Sequence, residues 1–436
     1  MPTSSSPASS PSSSCLPLHW QILIAIALAV VLGAYTGTDM ALLGVSFYSA
    51  YDFVGSLFLN ALKMLIVPLV MSSIIVGVAG LGTGSNVGRL GGKTLGFYAL
   101  SSLFSILMGL LWVNLMSPGL IDGLPAGEQL HLGTSDPLVA SKLEKIEGRG
   151  AGDVMDVFLR MVPSNVVDAA AKGQMLGMIF FSMLFGFFMT RISDGPAQTL
   201  KSFWQGVSEV MVAMTMLVMK FAPIGVFGLV AKTIASTGFG VFQPLLLFFF
   251  TVLLALAGHV FISLTLALKA VGVNPVRHYR AMVPALLTAF STASSSGTLP
   301  LTMDCVEKKS GVSKQTTSFI LPLGATINMD GTALYECVAA MFIAQAYGLD
   351  LTLSTQFTIV LVALLTSIGV AGIPSASLVA ITVILAAIGL PLEGIGLLMV
   401  TDRILDMLRT AVNVFSDSVC AVVVARTEGE KNVLQG

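Results

Sequence analysis

Long apolar segments alternate with short polar connections along most of the 436-residue chain. They run at Trp20–Tyr35, Phe53–Leu81, Leu90–Met116, Met175–Met189, Phe203–Ala231, Phe242–Leu268, Thr316–Ala346 and Ile395–Ala425. An apolar helix of about 20 residues crosses a hydrocarbon core of about 30 Å, so these segments predict eight spans. Two further apolar stretches, Ala281–Glu307 and Phe357–Leu390, are interrupted midway. The breaks fall at Ser291-Thr-Ala-Ser-Ser-Ser-Gly-Thr-Leu-Pro300 and Gly369-Val-Ala-Gly-Ile-Pro-Ser-Ala-Ser377. The arms beside each break hold roughly ten residues, too few to cross at about 1.5 Å per residue. Both stretches therefore read as re-entrant helical hairpins. Open backbone at that depth is tolerated only where protein or a wet cavity surrounds it, and paired broken segments point to a transporter's binding site. Plain spans kinked by Gly and Pro are the competing reading, and they rank second for a pair.

Composition supports a membrane class: 55% of residues are hydrophobic and only 10% charged, where a soluble chain carries about 25% charged. The net charge of −1 gives no basic footprint for nucleic acid. Cys15, Cys305, Cys337 and Cys420 are far apart and suggest neither a metal nor a disulfide framework. Residues 1–16 are Ser/Pro-rich and predict a disordered tail. Arg89, Lys93, Arg191, Lys201, Arg277, Arg280, Lys308, Lys309, Lys314, Arg426 and Lys431 all fall on one side if the spans alternate. The other side carries Lys142, Lys145, Arg149 and Arg160 in the longer connection 117–172, which reads as an external excursion with a short helix. The positive-inside rule then predicts both termini in the cytoplasm of a multi-pass plasma-membrane protein. No Asn-x-Ser/Thr sequon occurs, which fits a bacterial inner membrane.

The last span carries the chemistry. Within Thr401–Asp417, the side chains Asp402, Asp406, Arg409, Asn413 and Asp417 fall in an arc of roughly 80° at about 100° per residue. Each ionised side chain at membrane depth costs about 2.5–3.5 kcal/mol on the insertion scale, so the stripe needs compensation. Structural pairing of Asp406 with Arg409 is the bland explanation. A zwitterionic cargo offers another: an acid for its ammonium, and a guanidinium fork for a carboxylate. Upstream, Gly324-Ala-Thr-Ile-Asn-Met-Asp-Gly-Thr332 makes continuous helix unfavourable. Its freed carbonyls, with Asp330 and Asp417, are hard oxygen ligands suited to a small cation such as sodium, although Asn-Met-Asp-Gly also reads as a turn.

Ser294-Ser-Ser-Gly-Thr-Leu-Pro300, Asn328-Met-Asp-Gly-Thr332, Gly369-Val-Ala-Gly-Ile-Pro374 and Asp402–Asp417 together resemble the dicarboxylate/amino acid:cation symporter family. That family includes archaeal aspartate transporters and animal glutamate transporters. The likeness covers nearly the whole chain after residue 16 and is strongest over 276–428. It implies an all-α polytopic fold of eight spans and two hairpins in a homotrimer. Residues 17–428 would form one transporter unit, with a scaffold at about 20–82 and 155–235 and a mobile transport domain at about 88–116 and 240–428. Residues 429–436 would be a cytoplasmic tail. The implied activity is elevator-type symport of L-aspartate or L-glutamate with Na+, without enzymatic chemistry or an organic cofactor.

By the same resemblance, Asp406 would bind the substrate ammonium, and Arg409 the side-chain carboxylate with Thr332 beside it. Asn413 and the backbone near Ser294 and Ser295 would hold the α-carboxylate. Thr410 and carbonyls near Ala293 and Ile373 would complete the ammonium site, with Ser377 at the second hairpin tip. One sodium would lie among carbonyls of Gly324, Asn328 and Asn413 and the Asp417 carboxylate. A second would use Tyr98, Ser101, Ser102, Asn328 and Asp330, and a third carbonyls of Thr326, Ser367, Ile368 and Val370.

Members that carry plain dicarboxylates lack an acid at position 406, neutral carriers replace the arginine at 409, and proton-driven bacterial members have Asn where this chain has Asp417. Archaeal members carry Arg at position 293 and animal members at position 407; here these are Ala293 and Met407, with Arg403 offering a substitute. Ser375 and Ser377 stand where the archaeal relative has Gly. Glu336 matches the animal pattern and is a candidate carrier of a co-transported proton.

Of the histidines His19, His131, His259 and His278, none clusters with acids or cysteines at ligand spacing, and His259 reads as a packed or pore-facing residue. Ser294–Ser296 lack the partners of a nucleophile. An ion channel is the reading from another class, since a polar stripe can line a pore. A proton-coupled dicarboxylate or neutral amino acid symporter is the alternative within the fold.

Overall fold

The computed structural model describes residues 18–42, 44–79, 85–127, 159, 162–172, 175–238, 242–349, 352–367, 376–388, 390, 395–431 and 433–434. Among the described residues the fold is helical apart from two short antiparallel strand pairs, β1 (Ala41–Leu42) with β2 (Val45–Ser46) and β3 (Leu120–Ile121) with β4 (Leu124–Pro125). The first helices are α1 (Leu18–Thr36), α2 (Phe47–Ala79), α3 (Ser85–Met116), α4 (Val166–Ala171), α5 (Met175–Met189), α6 (Asp194–Lys220) and α7 (Ala222–Thr237). Then come α8 (Phe242–Ala270, with a π-turn at His259–Leu264), α9 (Pro275–Thr292) and α10 (Ser295–Asp304), which a π-turn continues through Lys309. The remainder are α11 (Lys314–Ile327), α12 (Asp330–Ala346), α13 (Leu353–Ser367), α14 (Ala376–Ile388) and α15 (Ile395–Thr427). Stretches of α3, α6, α8 and α15 are each long and apolar enough to cross a membrane.

The apolar segment at Phe203–Ala231 is not one helix. It parts at Phe221, because Pro223 lies in the first turn of α7, where a missing N–H costs nothing. In contrast, the break expected in Gly324–Thr332 is present: between α11 and α12, Asn328 is extended (φ −122°, ψ 98°) and Met329 also leaves the helical region (φ −125°, ψ 64°). The first interrupted stretch is broken where its serines predict, with α9 and α10 packed on each other, but the 18-residue α9 is longer than the short arm expected there. Ala293 takes the left-handed turn between them (φ 50°), and Ser294 caps α10 by accepting from the Gly297 N–H at 3.1 Å. The second stretch supplies α13 and α14, which also pack together. Its break, with Ile368, Val370, Ile373 and Ser375, lies outside the described residues, as does tail 1–16.

Helices α1 and α2 pack on α7, and α2 also on α5 and α6. Glycine allows the tight crossings: a Cβ on Gly33 would sit 2.6 Å from the Ala231 carbonyl oxygen, and one on Gly228 2.8 Å from that of Tyr51. Elsewhere α12 is enclosed by α3, α8, α13, α14 and α15, and nearly every one of its side chains is buried. Such all-round burial explains why its sequence carries no amphipathic face.

The residues after α15 fold back on the same end of this second group. Glu428 pairs with Arg89 (2.5 Å) and Lys93 (2.6 Å) on α3. Its position beyond the last helix leaves it among cations, and the Lys93 and Arg89 hydrogen bonds hold its carboxyl below the usual carboxylate range. Glu430 accepts from the Ser313 N–H and hydroxyl (both 2.8 Å) and from Thr316 Oγ1 (2.6 Å), placing a carboxylate at the start of α11. The Leu434 N–H donates to the Ser310 carbonyl at 2.9 Å, and Val433 is buried.

Candidate functional site

The stripe on α15 is wholly interior: Asp402, Asp406, Arg409, Asn413 and Asp417 are all buried. Its cations and anions are arranged along the helix as the periodicity dictates. Arg409 Nη2 donates to Asp402 Oδ1 at 3.0 Å and to Asp406 Oδ1 at 2.9 Å. Arg403 Nη1 lies 3.5 Å from Asp406 Oδ2, so this arginine reaches the acid one turn on, while Arg409 takes Asp402. The Arg409 guanidinium carbon stands 3.8 Å over the Tyr335 ring of α12, a cation–π contact. Its Nε and Nη1 have no hydrogen-bond partner. A buried guanidinium with two idle donors is costly alone and is well matched to a carboxylate.

One turn further, Asn413 joins α15 to α12. Its Oδ1 accepts from the Gly331 N–H (2.8 Å) and its Nδ2 donates to Thr332 Oγ1 (3.1 Å). This needs glycine at 331, since a Cβ there would lie 2.7 Å from the Arg409 carbonyl oxygen. Thr410 donates to the Asp406 carbonyl at 2.8 Å. Helices α9 and α10 pack on α15 as well, which brings the turn at Ala293 and Ser294 and the buried Ser295 into the same group of helices. On α14, Ser377 is buried and its hydroxyl has no partner.

Below these lies an oxygen-rich cluster where α3, α11, α12 and α15 meet. Asp330 Oδ1 accepts from Ser102 (2.7 Å), and its Oδ2 accepts from Ser101, from Ser416 (2.5 Å) and from His259 Nε2 (3.1 Å). Ser105 donates to the Asp330 carbonyl at 2.8 Å. Asn328 Nδ2 donates to Asp417 Oδ1 at 2.9 Å, while Asn328 Oδ1 is buried without a partner. Any side chain at Gly324 would collide with the Asp417 carboxylate and the Tyr98 hydroxyl. Tyr98 is buried and donates to the Ile320 carbonyl at 2.9 Å. Carboxylates, hydroxyls and an orphaned amide oxygen form a donor set that fits a small hard cation. Of the third expected cation group, Thr326 is described and its hydroxyl bonds to the Pro322 carbonyl (3.1 Å). Ser367 ends α13, and Ile368 and Val370 fall outside the described residues.

Glu336, one turn after Thr332, is buried; its Oε2 accepts from Thr366 Oγ1 of α13 at 2.8 Å and its Oε1 has no partner. Sequence reasoning missed three contributors. Ser416 adjoins Asp417 and was visible as a hydroxyl next to the stripe. Tyr335 sits one residue before Glu336 on a helix with no polar face to mark it. His259 lies 71 residues from Asp330, beyond any local signal. His278, by contrast, is packed between Ser310 (3.2 Å) and Ser418 (3.0 Å).

A stripe of three acids, an arginine and an amide buried among apolar helices, beside breaks that free backbone polar groups, suits a carrier of polar solutes through a membrane. Comparison with known sequences agrees with that class. Residues 18–427 match the model of the sodium:dicarboxylate symporter family, and the chain belongs to that family. It is accordingly a transporter and not an enzyme. It is 35% identical over 421 residues to the proton/sodium-glutamate symport protein of Geobacillus stearothermophilus, covering 96% of each chain. It is also 35% identical to the proton/glutamate-aspartate symporter of Escherichia coli (94% of this chain, 93% of that one). Excitatory amino acid transporter 3 of Mus musculus is again 35% identical, over 92% of this chain and 84% of its own.

Proposed function

We propose that this protein takes up an acidic amino acid, L-aspartate or L-glutamate, in symport with Na+. The observation that carries the reading is Arg409: fully buried, held by Asp402 and Asp406 through one nitrogen, with Nε and Nη1 unpartnered. Either donor can take the substrate's side-chain carboxylate in a charge-assisted hydrogen bond, with Thr332 beside it, and Asp406 takes the ammonium. Asn413, Ser294 and Ser295 hold the α-carboxylate, and Thr410, Ala293, Ile373 and Ser377 complete the pocket. Sodium ions are co-substrates of the oxygen clusters at Asp417–Asn328–Gly324, at Asp330–Ser101–Ser102–Tyr98, and at Thr326 with Ser367, Ile368 and Val370.

In this reading the chain has eight spans and two re-entrant hairpins, α9–α10 and α13–α14. Both termini are cytoplasmic, and the protein is a homotrimer in a plasma membrane. The group α1, α2 and α4–α7 is the scaffold, and α3 with α8–α15 is the unit that moves the cargo across as an elevator. Glycine-lined packing within the first group and the dense enclosure of α12 in the second support that division.

The test is uptake of labelled L-aspartate, and in parallel of L-glutamate, into vesicles holding the purified protein, with and without an inward sodium gradient. Concentrative uptake only with sodium is the expected result. Uptake driven equally by a proton gradient refutes the sodium assignments, and no uptake of either acidic amino acid refutes the substrate.

A further inference from the structure

His259 is unlike the other polar residues around Asp330. It comes from α8, is fully buried, and touches the carboxylate through Nε2 at 3.1 Å. It is also the first residue of the π-turn His259–Leu264, an irregularity that recurs at functional sites. That turn is secured by hydroxyls: the Val260 carbonyl accepts from Tyr279 Oη (2.8 Å) and from Thr265 Oγ1 (3.2 Å). Tyr279 in turn stacks on Phe415, the neighbour of Ser416, with ring centroids 4.8 Å apart. On the other side, Gly258 lets α8 close on α3, since a Cβ there would meet Met108 Sδ at 2.9 Å. The local irregularity of α8 is thus braced on both flanks, and its product is one imidazole N–H aimed at Asp330.

The four groups on that carboxylate differ in what they can become. Ser101, Ser102 and Ser416 carry hydroxyls, which donate a proton or turn a lone pair outward. Each can therefore stop donating to Asp330 and offer oxygen to a cation. The His259 Nε2–H is donor only. When a cation arrives and the serines turn, His259 is the group that keeps its bond to Asp330 Oδ2.

We propose that His259 is a positioning residue for sodium, holding the Asp330 carboxylate in place while the serine hydroxyls reorient towards the ion. This rests on the reading that Asp330 serves a sodium ion. Its contribution is to pre-set ligand geometry, as outer hydrogen-bond partners do around other metal ions, where their loss costs about 10- to 100-fold in affinity.

The experiment titrates NaCl against purified full-length protein at fixed L-aspartate, then L-aspartate at saturating NaCl, for the parent, His259→Phe, His259→Gln and Asp330→Asn. Phe keeps the ring volume without the donor, and Gln restores an N–H at similar reach. The expected result is a sodium half-saturation raised about 10- to 100-fold in His259→Phe, with Gln close to the parent and L-aspartate affinity at saturating sodium unchanged. A raised value in Asp330→Asn with none in His259→Phe overturns the positioning role while leaving Asp330 a ligand. Equal rises for Phe and Gln indicate packing alone and overturn it too. Should Asp330→Asn leave the sodium titration unmoved, the cation reading of Asp330 fails, and His259's role with it. If His259→Phe does not fold, His259→Met gives the same comparison against Gln.

Discussion

Substituting Gly331 by alanine tests whether the α12–α15 contact sets the geometry of the site. The new Cβ would stand 2.7 Å from the Arg409 carbonyl oxygen and 3.1 Å from Arg409 Cα. An ordinary carbon–oxygen contact needs about 3.3 Å, so the two backbones must separate by about 0.6 Å. Both are buried helices, and neither can yield by turning a side chain. The same movement stretches the Gly331 N–H bond to Asn413 Oδ1 from 2.8 Å towards about 3.4 Å, beyond the normal range. Overpacking costs about 1–3 kcal/mol and the weakened bond about 0.5–1.5 kcal/mol, a melting temperature a few degrees lower for a long chain. Gly96→Ala on α3 is the control, because nothing lies within 4 Å of its added Cβ. Thermal unfolding in sodium, with and without L-aspartate, reads both effects. Gly331→Ala should melt early and gain less from L-aspartate than the parent, while Gly96→Ala should match or exceed the parent. Equal melting and equal ligand stabilisation in the two variants would refute the close-approach argument.

Other substitutions separate the roles proposed for individual side chains. Arg409→Cys removes the guanidinium, worth about 1.5–3 kcal/mol for each charge-assisted hydrogen bond it gives a carboxylate, and should shift competition from L-aspartate to neutral amino acids. Full retention of L-aspartate affinity would remove Arg409 from the binding site. If Glu336 carries the co-transported proton, Glu336→Gln flattens the pH dependence of uptake, and an unchanged profile sinks that role. Glu428 is held below the usual carboxylate range by Lys93 and Arg89. Its stabilising effect is therefore complete above the unfolded value of about 4.3 and is lost as pH falls through the lower folded value. Glu428→Gln should accordingly melt earlier than the parent at neutral pH and converge with it in strong acid; a gap independent of pH would contradict the ion-pair account.

Much of the α15 stripe was readable in advance, because charges spaced every three or four residues stand out in an apolar segment. So was the break at Asn328, where glycine and asparagine gather among apolar residues. The partners within the stripe were less readable. Asp406 was expected to answer Arg409, but the guanidinium is shared with Asp402, and Arg403 turns towards Asp406. Side-chain reach along one helix face does not choose between partners at three and seven residues. The kink at Phe221 was hidden because the residues on both sides are equally apolar, and only Pro223 hints at it. From the sequence His259 reads as packed or pore-facing, since its tie to Asp330 depends on a π-turn that no periodicity announces.

The contact of Glu428 with Arg89 joins residues 339 positions apart. It has a consequence for how the protein is made. Helix α3 enters the membrane early in synthesis, with Arg89 and Lys93 at its first turns. Their acidic partner does not exist until nearly all the later helices have been threaded, and neither does Glu430, which closes the start of α11. During that interval α3 must wait beside a partial bundle, with Ser101 and Ser102 lacking the Asp330 they will bond. Closing so long a loop costs entropy that grows only slowly with length, but contacts this distant in sequence are characteristic of slow folding. Glu428 and Glu430 therefore close contacts that no earlier stage of synthesis can hold.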